Sequence, residues 1–261
     1  PKYLLVEDHA GMFHAEGVLV DDRIKAFWLV KFPRGRRSEA RNEQVLRNEA
    51  PYLEVARRFG IRTGDPLRYE QGALFVPRFD RQVADGRVER LGLHSLYAVA
   101  GLTGYGAAVS NDTFCRALAA VATDPARELR EYIRRDILNL ALRNTDNHGR
   151  NSAVLRSGVR IALSPLFDFA PMFLDPEGIG RVSRWEDETP GRQPDWRTIV
   201  AKFEDILPPA ASLTWLAGVG ETVRRLPAKM RDCRVDEDII ERLSRWIEEV
   251  AAGLIDAGRR V

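Results

Sequence analysis

The chain has little cysteine, no excess of charge of one sign and no long apolar run, and each absence closes off a class of protein. Of its 261 residues two are cysteines, Cys115 and Cys233, far apart and without CxxC spacing. That argues against a disulfide framework and against a zinc site, and it predicts a reducing, cytoplasmic compartment. Lys and Arg number 40 against 38 Asp and Glu, a net of +2, so no global field is expected to collect nucleic acid or anionic lipid. No stretch approaches the roughly 18 to 20 apolar residues that cross a bilayer, and residues 1–6 lack the pattern of a signal peptide. What remains is an ordinary globular composition, 44% hydrophobic and 30% charged, in a chain long enough for one large domain or two lobes around a cleft.

The hydrophobic pattern changes character near residues 80–90. Before it, short β-like runs at 3–6, 17–20, 26–32, 67–70 and 73–79 surround one helical stretch, 38–59, with Ser38 as N-cap, Gly60 as terminator and a break or restart at Pro51. After it, residues 111–122, 125–143, 196–206, 210–226 and 236–257 carry apolar residues at helical spacing. A single hairpin over 154–161, turning at Ser157-Gly158, interrupts the helices. The pattern predicts an α+β, two-lobed architecture: a small antiparallel-sheet lobe over residues 1–80 and a mostly helical lobe over 81–261.

The chemistry-bearing residues follow the second-lobe helix that ends near Arg143. Asn144-Thr145-Asp146-Asn147-His148-Gly149-Arg150-Asn151 forms a polar loop, the hairpin follows, and then comes Leu166-Phe167-Asp168-Phe169-Ala170. Phosphoryl transfer needs a carboxylate to take the proton of the attacking hydroxyl and oxygen ligands for Mg²⁺ on the phosphates. Asp146 suits the first role, Asn151 and Asp168 the second. The Asp-x-x-x-x-Asn spacing is that of the protein-kinase catalytic loop, and Asp168-Phe169-Ala170 stands where that fold places its metal-binding Asp-Phe-Gly. Alone the spacing is weak, because any Asn-rich turn produces it. In the first lobe, Lys31 interrupts the apolar run Leu29-Val30-Lys31-Phe32, where an unpaired ammonium is costly; an edge-strand lysine reaching water is the bland alternative. Glu49, in the only first-lobe helix, is the candidate counter-ion, which repeats the kinase Lys-Glu pair.

Taken together the motifs resemble the HipA-like kinase toxins of bacterial toxin–antitoxin modules. The resemblance rests on Val30-Lys31-Phe32-Pro33, Asn48-Glu49 with Ala56-Arg57-Arg58-Phe59-Gly60-Ile61, Ala73 through Arg81, Asp146 through Asn151, and Leu163-Ser164-Pro165-Leu166-Phe167-Asp168 in that order. It implies an ATP- and Mg²⁺-dependent Ser/Thr protein kinase with Asp146 as base, Asn151 and Asp168 on Mg²⁺, Lys31 on the ATP phosphates and Glu49 orienting Lys31. It also implies an interlobe hinge at Pro77, Arg78 and Phe79 that meets adenine, Asp80 near the ribose, and His148 within the catalytic-loop motif, in a reactive or a supporting role. Partners implied are a protein substrate, with translation enzymes such as aminoacyl-tRNA synthetases as targets, and an antitoxin through which DNA is reached indirectly. The family's Gly- and Ser-containing phosphate loop, with a serine autophosphorylated in some members, precedes the position matching Pro1-Lys2, and Lys2 reads as its end. Larger members carry a further N-terminal subdomain, in compact systems a small separate protein, so the chain reads as the kinase core of a short or split toxin. A small-molecule kinase of aminoglycoside or choline type and a non-catalytic kinase-like partner are the rival readings.

Elsewhere the bland readings prevail. Arg127, Arg130, Arg134 and Arg135 crowd one helix, but the interspersed Glu128, Glu131 and Asp136 predict a solvated, internally neutralised face. His9, His14 and His94 lack metal-ligand spacing. Trp185, Trp196, Trp215 and Trp246 read as packing residues, and residues 181–192 as a surface loop or a substrate-contacting segment.

Overall fold

The computed structural model describes residues 1–33, 40–103, 108–189 and 192–259. The first lobe is a five-stranded antiparallel sheet built from β1 (Lys2–Asp8), β2 (Phe13–Ala15), β3 (Ile24–Lys31), β4 (Arg68–Glu70) and β5 (Ala73–Pro77), in the order β2-β1-β3-β5-β4. The expected strand at 17–20 is absent: Val18, in a bend, and Val20, just past it, are exposed. The strand falls earlier because Asp8 closes the β1–β2 turn, its Oδ1 accepting from the Ala10 and Met12 amides at 2.9 Å each. Local hydrogen bonds of an aspartate outweigh a weak apolar alternation.

Between β3 and β4 runs α1 (Ala40–Phe59), continuous through Pro51 rather than broken by it. Its C-terminal half is over-determined by packing: Tyr52, Leu53, Val55, Ala56 and Phe59 all lie in the main hydrophobic core with residues of the second lobe. Burial of several such side chains at about 2 kcal/mol each offsets the ~3 kcal/mol proline penalty. The Ser38 cap falls outside the described residues. Gly60, at φ +93°, ends the helix as expected.

A hairpin of β6 (Arg81–Ala84) and β7 (Arg87–Arg90), not anticipated from sequence, marks the passage to the second lobe. There β8 (Gly92–Ser95) joins the expected hairpin, β9 (Ala153–Ser157) and β10 (Arg160–Leu163), as a third antiparallel strand. Its run has no apolar alternation, so it becomes a strand only by pairing with β9. The helices are α2 (Leu96–Val99), α3 (Asn111–Val121), α4 (Pro125–Ala141), α5 (Trp196–Ala201), α6 (Pro209–Arg224), α7 (Leu226–Asp232) and α8 (Glu237–Arg259). The four expected long helices are present; 196–206 forms helix only to Ala201, and Arg225 separates α6 from α7. No helix among the described residues is long and apolar enough to cross a membrane. Cys115 and Cys233 are both free and buried.

Candidate active site

The end of β3 brings Lys31 to the seam between the lobes, where its side chain is almost wholly buried. Its Nζ donates to Glu49 Oε1 of α1 at 2.6 Å and also bonds the carboxylate of Asp168, 137 residues away. Three groups chosen independently from sequence thus form one ion network. Burial works against the charge on Lys31, but Glu49 and Asp168 outweigh it and hold the ammonium pKa above its usual value. Burial lifts the Glu49 carboxyl above its normal range, with Lys31 opposing. At Asp168 burial is outweighed by Lys31 and Lys2, so the carboxyl sits below its usual value and the group is ionised.

Lys2 was legible only as the end of a loop, yet it occupies the first position of β1, directly opposite Lys31 in register. Like charges facing each other across a strand pair are destabilising. Here Asp168 offsets them, its Oδ2 3.6 Å from Lys2 Nζ. The signal available in sequence was period two: Lys2, Leu4 and Val6 share one face of β1.

Asp168 has φ +51°, a left-handed conformation that non-glycine residues rarely adopt and that costs on the order of 1 kcal/mol. Flanking contacts hold it: Phe169 is buried against Tyr52 with ring centroids 5.6 Å apart, and Phe167 packs on Phe79 at 5.8 Å. The strain aims the carboxylate at Lys31 while both phenylalanines stay packed.

The loop after α4 supplies the facing wall. Asn151 Nδ2 donates to Asp146 Oδ2 at 3.1 Å and to the Asp146 carbonyl at 2.9 Å. His148 Nε2 lies 3.3 Å from Asp146 Oδ1, and the His148 carbonyl accepts from the Asn151 amide at 2.9 Å. His148 therefore braces the carboxylate and the loop. Asn147 Nδ2 donates to the Ser183 carbonyl at 2.9 Å, which ties this loop to the segment beyond Asp168. Contrary to a plain surface loop, that segment is anchored inside: Ser183 and Trp185 are buried, and Arg181 bonds Asp136 and Glu188 at 2.6 Å each. Its Pro190 and Gly191 fall outside the described residues.

Lys2, Lys31, Glu49, Asp146, His148, Asn151 and Asp168 all line one cleft of about 240 Å³. A smaller apolar hollow of about 20 Å³, sharing Glu49 and Asp168 with the cleft, is walled by Pro77, Phe79 and Leu67. The Arg78 amide there is engaged by the Phe27 carbonyl at 2.9 Å. Asp80 lines neither cavity. It is buried between Arg78, at 2.8 and 2.6 Å, and Arg81, at 2.6 Å, and though burial acts the other way these cations hold its carboxyl below the usual range.

A strand lysine paired to a helix glutamate, facing a polar loop and an acidic turn across a two-lobed cleft, defines a protein-kinase-like fold. The HipA-like C-terminal domain family matches residues 1–230, and the chain belongs to that family. Among solved structures it is similar to a chain of the Shewanella oneidensis MR-1 toxin–antitoxin complex of HipA, HipB and operator DNA, with TM-score 0.74 and 20% identity over 100% of this chain. It spans 66% of that longer chain. The Helicobacter pylori proinflammatory kinase CtkA is similar at TM-score 0.53 and 13% identity, over 97% of this chain and 94% of that one. At these identities the likeness is one of fold. No curated protein sequence matches the chain.

Proposed function

We propose that the chain is the kinase core of a HipA-type toxin, an ATP- and Mg²⁺-dependent phosphotransferase acting on a serine or threonine hydroxyl of a protein. The observation that carries the reading is Lys31 bonded at once to Glu49 and Asp168 at the edge of the cleft that Asp146 and Asn151 also line. Among the described residues no three His, Cys, Asp or Glu side chains gather as a metal cage. Mg²⁺ is commonly held by one or two carboxylates together with phosphate oxygens, and Asp168 and Asn151 in the cleft are oxygen ligands of that kind. Asn151 and Asp168 would hold it, and ATP with Mg²⁺ would supply the phosphoryl group and the charge that eases its transfer.

The protein's own residues then have distinct tasks. Lys31, fixed by Glu49, neutralises phosphate oxygens, with Lys2 beside it. Asp146, held by Asn151 and braced by His148, orients the attacking hydroxyl and accepts its proton. Pro77 and Phe79 wall the small apolar hollow beside the cleft, which would have to widen to take the base, and Asp80 would reach a ribose only by releasing Arg78 or Arg81. The antitoxin, a small separate N-terminal-subdomain protein and a translation enzyme as target are the partners this reading carries.

The test is γ-phosphate transfer from labelled ATP to proteins of a bacterial lysate, with Asp146→Asn run beside the unaltered protein. A labelled band should appear, and the variant should lose at least about 100-fold in rate, the ordinary contribution of a general base. A variant that transfers at the original rate would remove Asp146 as base. Labelling of a small alcohol in place of any protein would move the reading to a small-molecule kinase.

A further inference from the structure

Glu49 lies in the half of α1 that the main core holds least. The fully buried core members on this helix begin at Tyr52, and of the larger apolar residues before it Val45 and Leu46 both border the cleft. Pro51 stands between the two halves. Having no amide hydrogen, it gives nothing to the Arg47 carbonyl, so the helical ladder lacks a rung in the turn that carries Glu49. A proline of this kind is where helices bend, and a bend there would swing Glu49 away from Lys31.

Polar bonds to the second lobe replace the missing hold. Gln44, Arg47 and Asn48, spaced by three and four residues, share one face of α1, and that face meets the start of α8. Asn48 is 1% exposed. Its Nδ2 donates to the Gln44 carbonyl at 2.8 Å and its Oδ1 accepts from the Asp236 amide at 3.0 Å, so both ends of the side chain are engaged. Arg47 bonds the Asp236 carboxylate, while Gln44 Nε2 donates to Asp236 at 3.1 Å and to Asp238 at 3.0 and 3.1 Å. The start of α8 is a firm anchor: Ile239, Ile240 and Leu243 are buried in the main core, and the Asp236 carbonyl accepts from the Ile239 amide at 3.0 Å. Glu49, one residue beyond Asn48, points about 100° round the helix, at Lys31.

We infer that Asn48 is the positioning residue of the Lys31–Glu49 pair. It docks the first half of α1 on α8 and so holds Glu49 in place across the break at Pro51, with Arg47 and Gln44 in support. Asn48 lines neither the cleft nor the hollow beside it, so it acts through Glu49. Its effect on ATP binding rests on the phosphotransferase reading; its effect on the pair does not.

The experiment is acetylation of the whole chain with acetic anhydride, read at Lys31 by peptide mass spectrometry. Calorimetric titration with ATP and Mg²⁺ runs beside it, both well below the melting temperature of each variant. Lys31 is almost wholly buried and reacts only when the pair opens; Lys25, half-exposed, is the internal reference. Asn48→Ala should speed Lys31 labelling about tenfold relative to Lys25, the ordinary weight of one hydrogen bond lost from a buried amide, and weaken ATP binding by a similar factor. Arg47→Met, at a half-exposed residue, should raise the labelling about threefold and carries the test should Asn48→Ala not fold. Adding Pro51→Ala to Asn48→Ala returns the missing rung and should restore the protection of Lys31. Unchanged Lys31 labelling in both Asn48→Ala and Arg47→Met overturns the inference, even if thermal stability or ATP affinity falls, because Asn48 would then support the fold without holding the pair. An unaltered protein that binds no ATP, with Lys31 labelling still raised in Asn48→Ala, would remove the phosphotransferase reading and leave the positioning role standing.

Discussion

Lys31 joins stability and function in a single ammonium. It is 5% exposed and its partner Glu49 6%, so removing Lys31 leaves the Glu49 charge buried and uncompensated, which costs about 3 to 5 kcal/mol, whereas removing Glu49 leaves Lys31 with Asp168. Lys31→Met should therefore lower the melting temperature and also weaken nucleotide binding, two effects that a single variant cannot separate. Lys31→Met combined with Glu49→Leu separates them, because replacing the buried Lys31–Glu49 pair by apolar side chains recovers most of the lost stability, the remainder being the loss of Lys31 at Asp168, which keeps Lys2 at 3.6 Å. Thermal unfolding of the double variant should return towards the unaltered protein, while ATP titration should show binding still lost. Restored ATP binding in the double variant would mean that Lys31 serves the fold alone.

At the scale of the element, the polar loop between α4 and β9 depends on a residue that its own motif does not single out. A Cβ on Gly149 would stand 2.5 and 2.9 Å from Phe114 Cζ and Cε1 and 3.1 Å from Tyr97. Both rings are buried, so they cannot yield, and the loop itself must move. Gly149→Ala should destabilise by about 1 to 3 kcal/mol and reduce the rate of transfer more than ATP affinity, since Asp146 shifts while Lys31 does not. A variant with unaltered kcat would show that the loop tolerates the displacement. The same contrast explains what the sequence disclosed. Asp146, Asn151, Asp168, Lys31 and Glu49 were legible because charged or amide side chains at fixed spacing, or within an apolar strand, announce themselves locally. The long amphipathic helices and four of the five first-lobe strands were legible for the same reason. Gly149, Lys2 and β8 were not, because what defines them is a contact with Phe114, Asp168 or β9 far along the chain. On α4 the expected neutralisation within the helix holds for Glu131 and Arg135, while the burial of Glu128 and Asp136 was not legible because their partners, Arg62 and Arg181, lie far along the chain.

At the scale of the molecule, the two lobes are coupled by a buried charge cluster behind the cleft. Arg62 sits in the segment between α1 and β4, and its guanidinium meets Glu128 of α4 while also donating to the Leu163 carbonyl at 2.6 Å. The Arg62 carbonyl accepts from the Leu166 amide at 2.8 Å, and Thr63 and Leu166 form a parallel bridge. The strand that leads into Asp168 is thus clamped both to α4 and to the segment that follows the Glu49 helix. α1 is itself continuous with the main core, whereas the sheet has only a small cluster of its own, Val6, Ile24 and Phe27. Lys31, Glu49 and Asp168 consequently keep their relative positions through Arg62 and Glu128 as well as through their own bonds. Glu128→Ala leaves Arg62 half-buried without its carboxylate and the Leu163 amide without an acceptor. The cost should be about 3 to 5 kcal/mol, a fall in Tm on the order of 10 °C for a chain of this size. Because the clamp leads to Asp168, ATP binding should weaken even at temperatures where the variant remains folded. Glu128→Gln, which keeps an acceptor for Leu163 and one for Arg62, should recover a substantial part of both losses. If Glu128→Ala melted lower yet bound ATP with unaltered affinity, the cluster would be a support of the fold with no hold on the geometry of the cleft.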